Sequence, residues 1–355
     1  MTRPARVIIN PQAARHNLSW VRRHAPAARV LAVIKADGYG HGIARMARIF
    51  ADADAFAVAS IEEAVTLREA GVAKPVVLLE GPFEVAELAL VDQLALEVVV
   101  HTSEQLAMLR AAPPPCALWL KLDTGMHRLG FDAERFSDAL GAARALASPL
   151  RFMTHFANTH HRGDASVHQQ IERFEHMLGD ISGPRSLANS GAIIAYPQTH
   201  ADWVRPGLML YGVSPFDGET GVELGLQPVM TLRSRLIAVR EVRAGEAVGY
   251  GGAFVCPTDM PVGVVAYGYG DGYPRHAQTG TPILVRGIRT QVIGHCSMDM
   301  MTVDLRPIPA ARFGDEVTLW GTDLPVEEVA RACGTIPYEL LCRVRMRAHY
   351  EEGVP

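Results

Sequence analysis

The sequence predicts an α/β fold, with a (β/α)8 barrel of the TIM type over residues 8–227 and a mostly β domain over residues 228–355. First, 355 residues exceed one typical hydrophobic core, so two domains are expected. Second, eight short apolar runs alternate with amphipathic stretches between about residues 30 and 212. Third, after about residue 228 the runs are separated by Gly and Pro turns and helical periodicity is scarce. The N-terminal residues 1–7 could join the second domain.

The eight apolar runs predict the barrel strands, and helical patterns lie between most of them. The clearest helix opens at Ser60-Ile61-Glu62-Glu63, a Ser-x-x-Glu capping box, and closes at Gly71. The eighth run is the weakest because Pro206 interrupts it. The runs are VLAVI (30–34), AFAVA (55–59), PVVLL (75–79), LEVVV (96–100), ALWLKL (117–122), RFMTHF (151–156), RSLAN (185–189) and WVRPGLMLY (203–211).

The second domain is predicted from four β-like runs, which are LRSRLIAVREV, MPVGVVAYGYG, TPILVRGIRTQVIG and DEVTLWG. Only Val326–Cys333 has a helical pattern in this part of the chain. No repeat, low-complexity tract or flexible linker separates the two domains, so we expect them to pack closely.

Composition excludes several classes of function. A net charge of −4 argues against a nucleic-acid or anionic-membrane partner. The N-terminus lacks the apolar core of a secretory signal, and no apolar run approaches the roughly 20 residues of a membrane span. The five scattered cysteines form no C-x-x-C pair, which argues against a disulfide framework or a structural zinc site. A cytoplasmic protein is expected.

Lysine is scarce, which narrows any chemistry that needs an amine. Of 34 basic residues, only Lys35, Lys74 and Lys121 are lysines, and arginine cannot form a Schiff base. Lys74 precedes its strand and so belongs to the opposite face of the barrel. Lys35 directly follows the first strand and opens a glycine-rich loop, so a desolvated, reactive amine at the barrel mouth is expected.

Five of the predicted strands deliver a polar group toward one rim, the C-terminal end where barrel enzymes carry their chemistry. Lys35 follows VLAVI, and Lys121 lies late in ALWLKL with Arg128 in the loop beyond it. The other three groups are His155 in RFMTHF, Ser190 after RSLAN and Arg205 in the eighth run.

Eight motifs in register resemble the alanine racemases, which are pyridoxal 5'-phosphate (PLP) enzymes of fold-type III. Together they span nearly the whole chain, and stretches such as TGTPILVRG resemble the catabolic branch of that family. The motifs are AVIKADGYGHG (32–42), KLDTGMHRLGF (121–131), MTHF (153–156), SLANS (186–190), DWVRPGLMLYG (202–212), GYGDGYPRHA (268–277), GHCSMDM (294–300) and IPYELLC (336–342).

This resemblance implies an alanine racemase that interconverts L- and D-alanine, with two bases and a substrate clamp. Lys35 would bind PLP as a Schiff base and act as the base on the D side, and Tyr269 would act on the L side. Arg128 would clamp the substrate carboxylate with help from the backbone of Met298. Family enzymes are homodimers with shared active sites, so Lys35 would face the partner's Tyr269.

The resemblance also implies the residues that hold the cofactor. Arg205 would contact the pyridine nitrogen of PLP. Lys121 resembles a lysine that is often carbamylated in the family, which would turn a cation into an anion that orients Arg128. The remaining implied residues are Tyr39, His155, Ser190, Gly207 and Tyr338 for the cofactor, and Asp299 in support.

The chemistry is consistent with these residue types. Racemisation removes an α-proton and returns one to the opposite face, which two opposed bases do directly. Tyrosine has an ordinary pKa of about 10, so it needs a cationic environment to act as a base. We expect His155 and Arg205 to provide it through hydrogen bonding. Because arginine can only donate, Arg205 would leave the pyridine nitrogen unprotonated and weaken the electron sink.

Other functions remain open from the sequence. A racemase of broader or serine-preferring specificity would use the same barrel, and a non-catalytic PLP carrier would need the barrel alone. An amino-acid decarboxylase would be expected to place an acid where Arg205 stands.

No metal site is predicted, since His160, His161, His168 and His176 have no nearby Cys or acid to complete a ligand set. The chain departs from the family pattern at His295, at His160-His161 and in its C-terminal tail.

Overall fold

A computed structural model describes residues 3–111, 116–344 and 347–355 of the chain. The first elements are strand β1 (Arg6–Ile9) and helix α1 (Pro11–His24). The Asn10 side chain accepts hydrogen bonds from the amides of Gln12 and Ala13, which satisfies donors in the first turn of α1.

The predicted (β/α)8 barrel is confirmed. The first seven of eight parallel strands pair in chain order, and the first strand also pairs with the eighth. A bridge between Asn189 and Arg205 joins the seventh and eighth strands, which closes the barrel. Each of the eight apolar runs overlaps one strand. The eighth strand ends at Val204, before Pro206, which cannot donate to a strand ladder. The strands are β2 (Arg29–Val33), β3 (Ala55–Val58), β4 (Val76–Leu78), β5 (Leu96–Val100), β6 (Leu118–Lys121), β7 (Leu150–Met153), β8 (Arg185–Ser186) and β9 (Trp203–Val204).

Helices connect these strands and cover the outside of the sheet, as the β–α alternation predicts. Three single turns of 3-10 helix, at Val85–Glu87, Pro197–Thr199 and Leu208–Tyr211, lie between or after them. The helices are α2 (Lys35–Gly40), α3 (Ile43–Ile49), α4 (Ile61–Glu69), α5 (Leu88–Gln93), α6 (Ser103–Ala111), α7 (Ala133–Arg144), α8 (Ala165–Leu178) and α9 (Ser190–Ala195).

Helix α4 is the one predicted from the Ser60–Glu63 motif, and Gly71 follows its end with a φ of +80° that suits a left-handed cap. The prediction of a capping box is wrong, because the structure of this segment shows no cap hydrogen bond from the Ser60 side chain. The Glu63 carboxylate instead accepts from the amides of Ala59 at 2.8 Å and Ala36 at 2.6 Å. Glu63 therefore ties α4 to the loop after β2.

A polar and aromatic layer fills the N-terminal end of the barrel. The Glu97 carboxylate accepts from Trp119 Nε1 and from Arg151 Nη1, both at 2.7 Å. The Arg151 guanidinium also lies over the rings of Trp119 and Trp203, 5.0 and 5.4 Å from their centroids. Each of these residues is the first or second of its strand, so the layer lies opposite the rim where chemistry is expected.

The mostly β C-terminal domain is also confirmed. Strand β10 has a register shift between Leu236 and Ala238, which lets its first part pair with β1 and β17 and its second part with β13. The ring β13–β16–β15–β14–β17–β10 closes on itself, and β1 and β18 extend the sheet. The strands are β10 (Met230–Val242), β11 (Ala247–Val248), β12 (Phe254–Val255), β13 (Met260–Val265), β14 (Pro282–Val285), β15 (Ile288–Ile293), β16 (Met301–Asp304), β17 (Glu316–Trp320) and β18 (His349–Glu352).

The described residues of this domain contain two α-helices, α10 (Val326–Ala332) and α11 (Pro337–Arg343), and short 3-10 turns at Tyr250–Gly252 and Tyr269–Asp271. The prediction of one helix, Val326–Cys333, is correct for α10 but wrong in leaving out α11. Pro337 at the first helical position of α11 is a recognisable start signal that the prediction did not use.

By packing, the chain divides into two compact units. One contains residues 15–210 and 215–218, and the other contains residues up to Ala14, 211–214 and 219–355. The sequence-based limits 8–227 and 228–355 stay a prediction. None of the helices in the described residues is long and apolar enough to cross a membrane.

Candidate active site

Five barrel strands end in the polar residues predicted from the sequence. Lys35 directly follows β2, and Lys121 is the last residue of β6. His155 lies two residues after β7, Ser190 opens α9 after β8, and Arg205 directly follows β9. All five therefore start from one rim, the C-terminal ends of the parallel strands.

The chain turns sharply after Lys35. Residues 36–39 all have left-handed backbone angles, with φ between 52° and 62°. For residues other than glycine this conformation costs roughly 1–2 kcal/mol each, so other contacts must hold it. Glu63 accepts from the first amide of the turn at 2.6 Å, and the Asp37 carboxylate accepts from the Ile43 amide at 2.7 Å. These two carboxylates fix the turn next to the candidate Schiff-base lysine.

Arg205 is buried among neutral acceptors. Its Nη1 donates to the carbonyl and hydroxyl of Ser186 at 2.8 and 2.7 Å, and its Nη2 donates to the carbonyls of Thr154 at 2.5 Å and Leu187 at 3.2 Å. His155 Nδ1 lies 3.4 Å from Nη2. None of these partners is negatively charged. Burial lowers the pKa of Arg205 to about 9, which still leaves the guanidinium charged at neutral pH.

Cations crowd around Lys121 and His155. Burial, and then the charges of Arg205, Arg128 and Lys35, lower the pKa of Lys121 to about 8. Burial, and then the charges of Arg205, Lys121, Arg128 and Lys35, lower the pKa of His155 well below its ordinary value. Its imidazole is therefore neutral at neutral pH. A site in which positive groups repel one another favours a bound anion.

The loop that carries Arg128 is shaped by Asp123. Asp123 Oδ1 accepts from three successive amides, those of residues 125–127, at 2.9 to 3.1 Å. Backbone hydrogen bonds of 2.9 Å from Phe131 to Lys121 and from Asp123 to Phe131 close the loop. The Arg128 side chain is exposed at this rim, a position that suits a clamp on an incoming carboxylate.

Tyr39, Ser190 and Gly207 meet at one point of the rim, which we call the hydroxyl cradle. Ser190 Oγ accepts from the Gly207 amide at 3.0 Å, and a Cβ atom at position 207 would lie 2.6 Å from Tyr39 Oη. Asn189 Oδ1 accepts from the Ala192 amide at 3.1 Å, which fixes the start of α9 next to Ser190. A side chain at 207 would displace the Tyr39 hydroxyl, and two hydroxyls converge on this glycine.

Tyr269 and Met298 lie side by side in the β domain. The Tyr269 amide donates to the Ser297 carbonyl at 3.0 Å, and the Gly270 amide donates to the Met298 carbonyl at 2.8 Å. A Cβ at Gly268 would lie 2.4 Å from the Ser297 carbonyl oxygen, so this contact between two loops requires glycine. Tyr269 is half-buried and Met298 is 55% exposed.

A buried carboxylate, that of Asp271, stabilises the turn that contains Tyr269. Asp271 is fully buried and accepts from the Gly268 amide at 2.9 Å and from Arg3 at 2.6 and 3.1 Å. Arg347 lies 3.3 Å from the same carboxylate and donates to Asp299 Oδ1 at 2.6 Å, while Arg3 also donates to the Asp299 carbonyl at 2.7 Å. Two arginines from opposite ends of the chain thus hold the loops of Tyr269 and Asp299.

Asp299 is among the residues predicted from the sequence, whereas Asp271, Arg3 and Arg347 are not. Asp271 stands inside the GYGDGYPRHA motif, which could have drawn attention to it, but no local pattern links the two arginines. Tyr338 is the second residue of α11 and is 38% exposed. Tyr269, Met298, Asp299 and Tyr338 belong to the β unit, and the other predicted site residues belong to the barrel unit.

Comparisons with known proteins point to one family. The chain matches the family model described as alanine racemase, N-terminal domain, over residues 9–215, and that described as alanine racemase, C-terminal domain, over residues 229–351. The alanine racemase of Aeromonas hydrophila subsp. hydrophila is 49% identical over 348 residues, which cover 97% of this chain and 98% of the relative.

Solved structures agree. The crystal structure of biosynthetic alanine racemase from Pseudomonas aeruginosa is 44% identical with a TM-score of 0.97, covering 99% of this chain and 100% of that one. Alanine racemase from Bartonella henselae, with covalently bound pyridoxal phosphate, is 27% identical with a TM-score of 0.90, covering 99% of both chains. The likeness runs through the barrel and the β domain alike, and the chain therefore belongs to the alanine racemase family.

Proposed function

We propose that the protein is a PLP-dependent isomerase that interconverts L- and D-alanine, with Lys35 and Tyr269 as its two bases. The observation that carries this proposal is the likeness to alanine racemases over the full length, at 49% and 51% identity to two of them. A non-catalytic PLP carrier would need the barrel alone, so the matched β domain with Tyr269 argues against that alternative.

The barrel residues fit PLP. The hydroxyl cradle of Tyr39, Ser190 and Gly207 offers hydroxyl donors of the kind that a phosphate accepts, and the lack of a Cβ at 207 leaves the backbone approachable. Lys35 supplies the one rim amine that directly follows a strand. The surrounding cations suit an anionic cofactor, and the covalent PLP of the B. henselae enzyme supports the same use here.

The two bases would act on opposite faces of the substrate α-carbon. When bound, PLP withdraws electrons from that carbon and makes its proton acidic. Lys35 Nζ would move the proton on the D side, and Tyr269 Oη would move it on the L side. Arg128 would hold the substrate carboxylate with the backbone of Met298. Inversion follows when one base removes the proton and the other returns one.

Arg205 would set how strongly the cofactor withdraws electrons. Its Nη atoms already donate to Ser186, Thr154 and Leu187, and with a pKa of about 9 it keeps its proton at neutral pH. It would therefore leave the pyridine nitrogen unprotonated, unlike an acid at the same position. A weaker sink favours prompt return of the proton over side reactions such as transamination.

The positive charge assigned to His155 needs correction. The sequence predicts that His155 and Arg205 together create a cationic environment for the tyrosine base, but the lowered pKa of His155 leaves its ring neutral. We propose that Arg205 supplies the charge and that His155 contributes only hydrogen bonding.

Lys121 has the properties of an amine that reacts with carbon dioxide. Its pKa of about 8 leaves a sizeable neutral fraction near neutral pH, and only the neutral amine can form a carbamate. A carbamate here would place an anion among Arg205, Arg128 and Lys35, which the repulsion between those cations favours. We propose that Lys121 is carbamylated.

We propose a homodimer in which Lys35 of one chain works with the partner subunit's Tyr269. The placement of the two bases in different units of the chain supports this arrangement, as does family membership. All five cysteines are free, which supports a reducing, cytoplasmic location. The expected partners are a small amino acid and a second copy of the chain, with no nucleic acid or membrane.

Proton exchange in heavy water tests the two-base assignment. Tyr269→Phe is expected to keep the visible absorbance of bound PLP and to lose about 10²–10⁴-fold in kcat. It should still exchange the α-proton of D-alanine through Lys35 while losing exchange of L-alanine. Lys35→Ala should lose both the absorbance and all exchange.

Tyr250→Phe is the matched control, because Tyr250 is an exposed tyrosine of the same domain, and it should behave as wild type. Equal loss of both exchanges in Tyr269→Phe would refute the division of roles.

Comparison of kcat/KM for alanine, serine and lysine decides between an alanine-specific and a broader racemase. The resemblance to the catabolic branch stays a prediction.

A further inference from the structure

Two loops at the C-terminal rim of the barrel bring three metal-ligating groups together. His160 and His161 lie in the loop after β7, and Asp217 lies in the segment after the eighth strand. One donor atom of each residue lies within 4.8 Å of the donor atoms of the other two. The sequence analysis predicts no metal site at these histidines, and the fold brings the Asp217 carboxylate to them from far along the chain.

Contacts that need no metal already hold the two loops together. The Asp217 amide donates to the His160 carbonyl at 3.3 Å. The Arg162 guanidinium lies 3.8 Å from the ring centroid of Phe216. Because the residues on either side of the donor groups are paired across the loops, the ligand backbone is organised before any ion arrives, which lowers the entropy lost on binding.

The histidine loop is also anchored to the barrel. Thr159 is buried and donates from Oγ1 to Asn189 Oδ1 at 3.0 Å. Gly191 packs so closely on this loop that a Cβ there would lie 2.7 Å from the Thr159 carbonyl oxygen. The residue before His160 is therefore fixed, while His161 and Asp217 are exposed and can rotate toward an ion.

The charges around the three residues suit a cation. His161 Nδ1 lies 3.8 Å from Asp217 Oδ2. Asp164 lies on the same loop as the two histidines and adds a second carboxylate, and its side chain accepts from the Ser166 amide at 2.8 Å. Arg162 is the opposing positive charge, and its guanidinium lies over Phe216.

We infer that His160, His161 and Asp217 form a binding site for a divalent transition-metal ion, with Zn²⁺ as the best fit. Two imidazoles and one carboxylate favour Zn²⁺, because Mg²⁺ and Ca²⁺ prefer sites made of oxygen ligands alone. A water molecule would complete a tetrahedron. Zn–N bonds of about 2.0–2.1 Å require donors about 3.3 Å apart. The donor atoms lie within 4.8 Å of one another, so binding would require the exposed side chains of His161 and Asp217 to rotate inward.

Zinc titration of the PLP-loaded enzyme tests the site without reference to activity. Calorimetry is expected to show one ion bound per chain, with weaker binding at about pH 5.5 than at about pH 7.5 because imidazole must be neutral to ligate. His161→Asn and Asp217→Asn should each weaken zinc binding at least tenfold. His176→Asn is the control, since His176 is an exposed histidine of α8 outside the cluster, and it should bind as wild type.

A crystal soaked with zinc chloride locates the ion directly. An anomalous peak at bonding distance from all three side chains is the expected result. Wild-type affinity in both cluster variants would overturn the inference, and so would a peak found only at the exposed Cys342 or at other surface histidines.

Discussion

Replacement of Gly207 by alanine tests the hydroxyl cradle most sharply. The new Cβ would lie 2.6 Å from Tyr39 Oη, against about 3.4 Å for ordinary contact, so the hydroxyl must move by about 0.8 Å. Overpacking of this kind costs about 1–3 kcal/mol. Because Tyr39 can relieve the clash by withdrawing from the cradle, we expect the cost to fall on cofactor binding, as a roughly 5- to 150-fold loss of PLP affinity.

The assay is titration of apoenzyme with PLP, followed by visible absorbance, beside a thermal melt of the apoenzyme. Gly141→Ala is the control, since Gly141 lies inside α7 with no atom within 4 Å of a new Cβ, and it should keep its PLP affinity. Adding Tyr39→Phe removes the atom in the clash, so the double variant should bind PLP more tightly than the sum of the two single losses predicts. Unchanged PLP affinity in Gly207→Ala, or a fall in melting temperature alone, would refute the cofactor role of this contact.

Three other expectations follow from the polar groups of the barrel. Glu97→Ala leaves Arg151 without its buried partner and should cost about 3–5 kcal/mol in urea unfolding while sparing PLP affinity, and a loss below about 1 kcal/mol would contradict that account. His41 is fully buried and burial lowers its pKa from 6.5 to about 4, so the unfolded chain binds the proton more tightly. Stability should be complete above about pH 6.5 and fall by about 3 kcal/mol toward pH 4, and His41→Asn should flatten that slope. With ¹³C-bicarbonate, wild type should show a carbamate NMR signal that Lys121→Arg lacks, and a wild-type spectrum without it would end the carbamate proposal.

Most of the barrel is predictable from local pattern, because its buried parallel strands lie in short apolar runs, with the exception of the two-residue strand β8 (Arg185–Ser186). The eighth strand is short for the reason that the sequence predicts, since β9 ends at Val204, before Pro206. The errors come from residues whose partners lie elsewhere. Ser60 and Glu63 match a capping box, yet Glu63 bonds the Ala36 amide across the fold. A short motif cannot show that its side chain has a better partner in another element.

The candidate site likewise contains residues that the sequence identifies and residues that only the fold brings together. Lys35, Arg205 and Tyr269 stand in motifs long enough to be recognised from the chain alone. The support for the Tyr269 turn comes from Arg3 and Arg347, which reach Asp271 from opposite ends of the chain. Likewise, no spacing rule connects His160 with Asp217. Such groups are distant in the sequence and are brought together by the tertiary fold, so a local pattern carries no signal for them.

The left-handed turn at residues 36–39 reverses the usual ranking of amino acids at Ala36. Inside a regular element, glycine lowers folding stability by about 0.5–1 kcal/mol relative to alanine. At position 36, however, glycine would avoid the steric cost of about 1–2 kcal/mol that alanine has in a left-handed conformation. A D-alanine residue introduced by chemical ligation would suit the position better still, because right- and left-handed preferences exchange on mirror inversion. At Ala36, the chain would accommodate in its own backbone the stereoisomer that its proposed reaction makes.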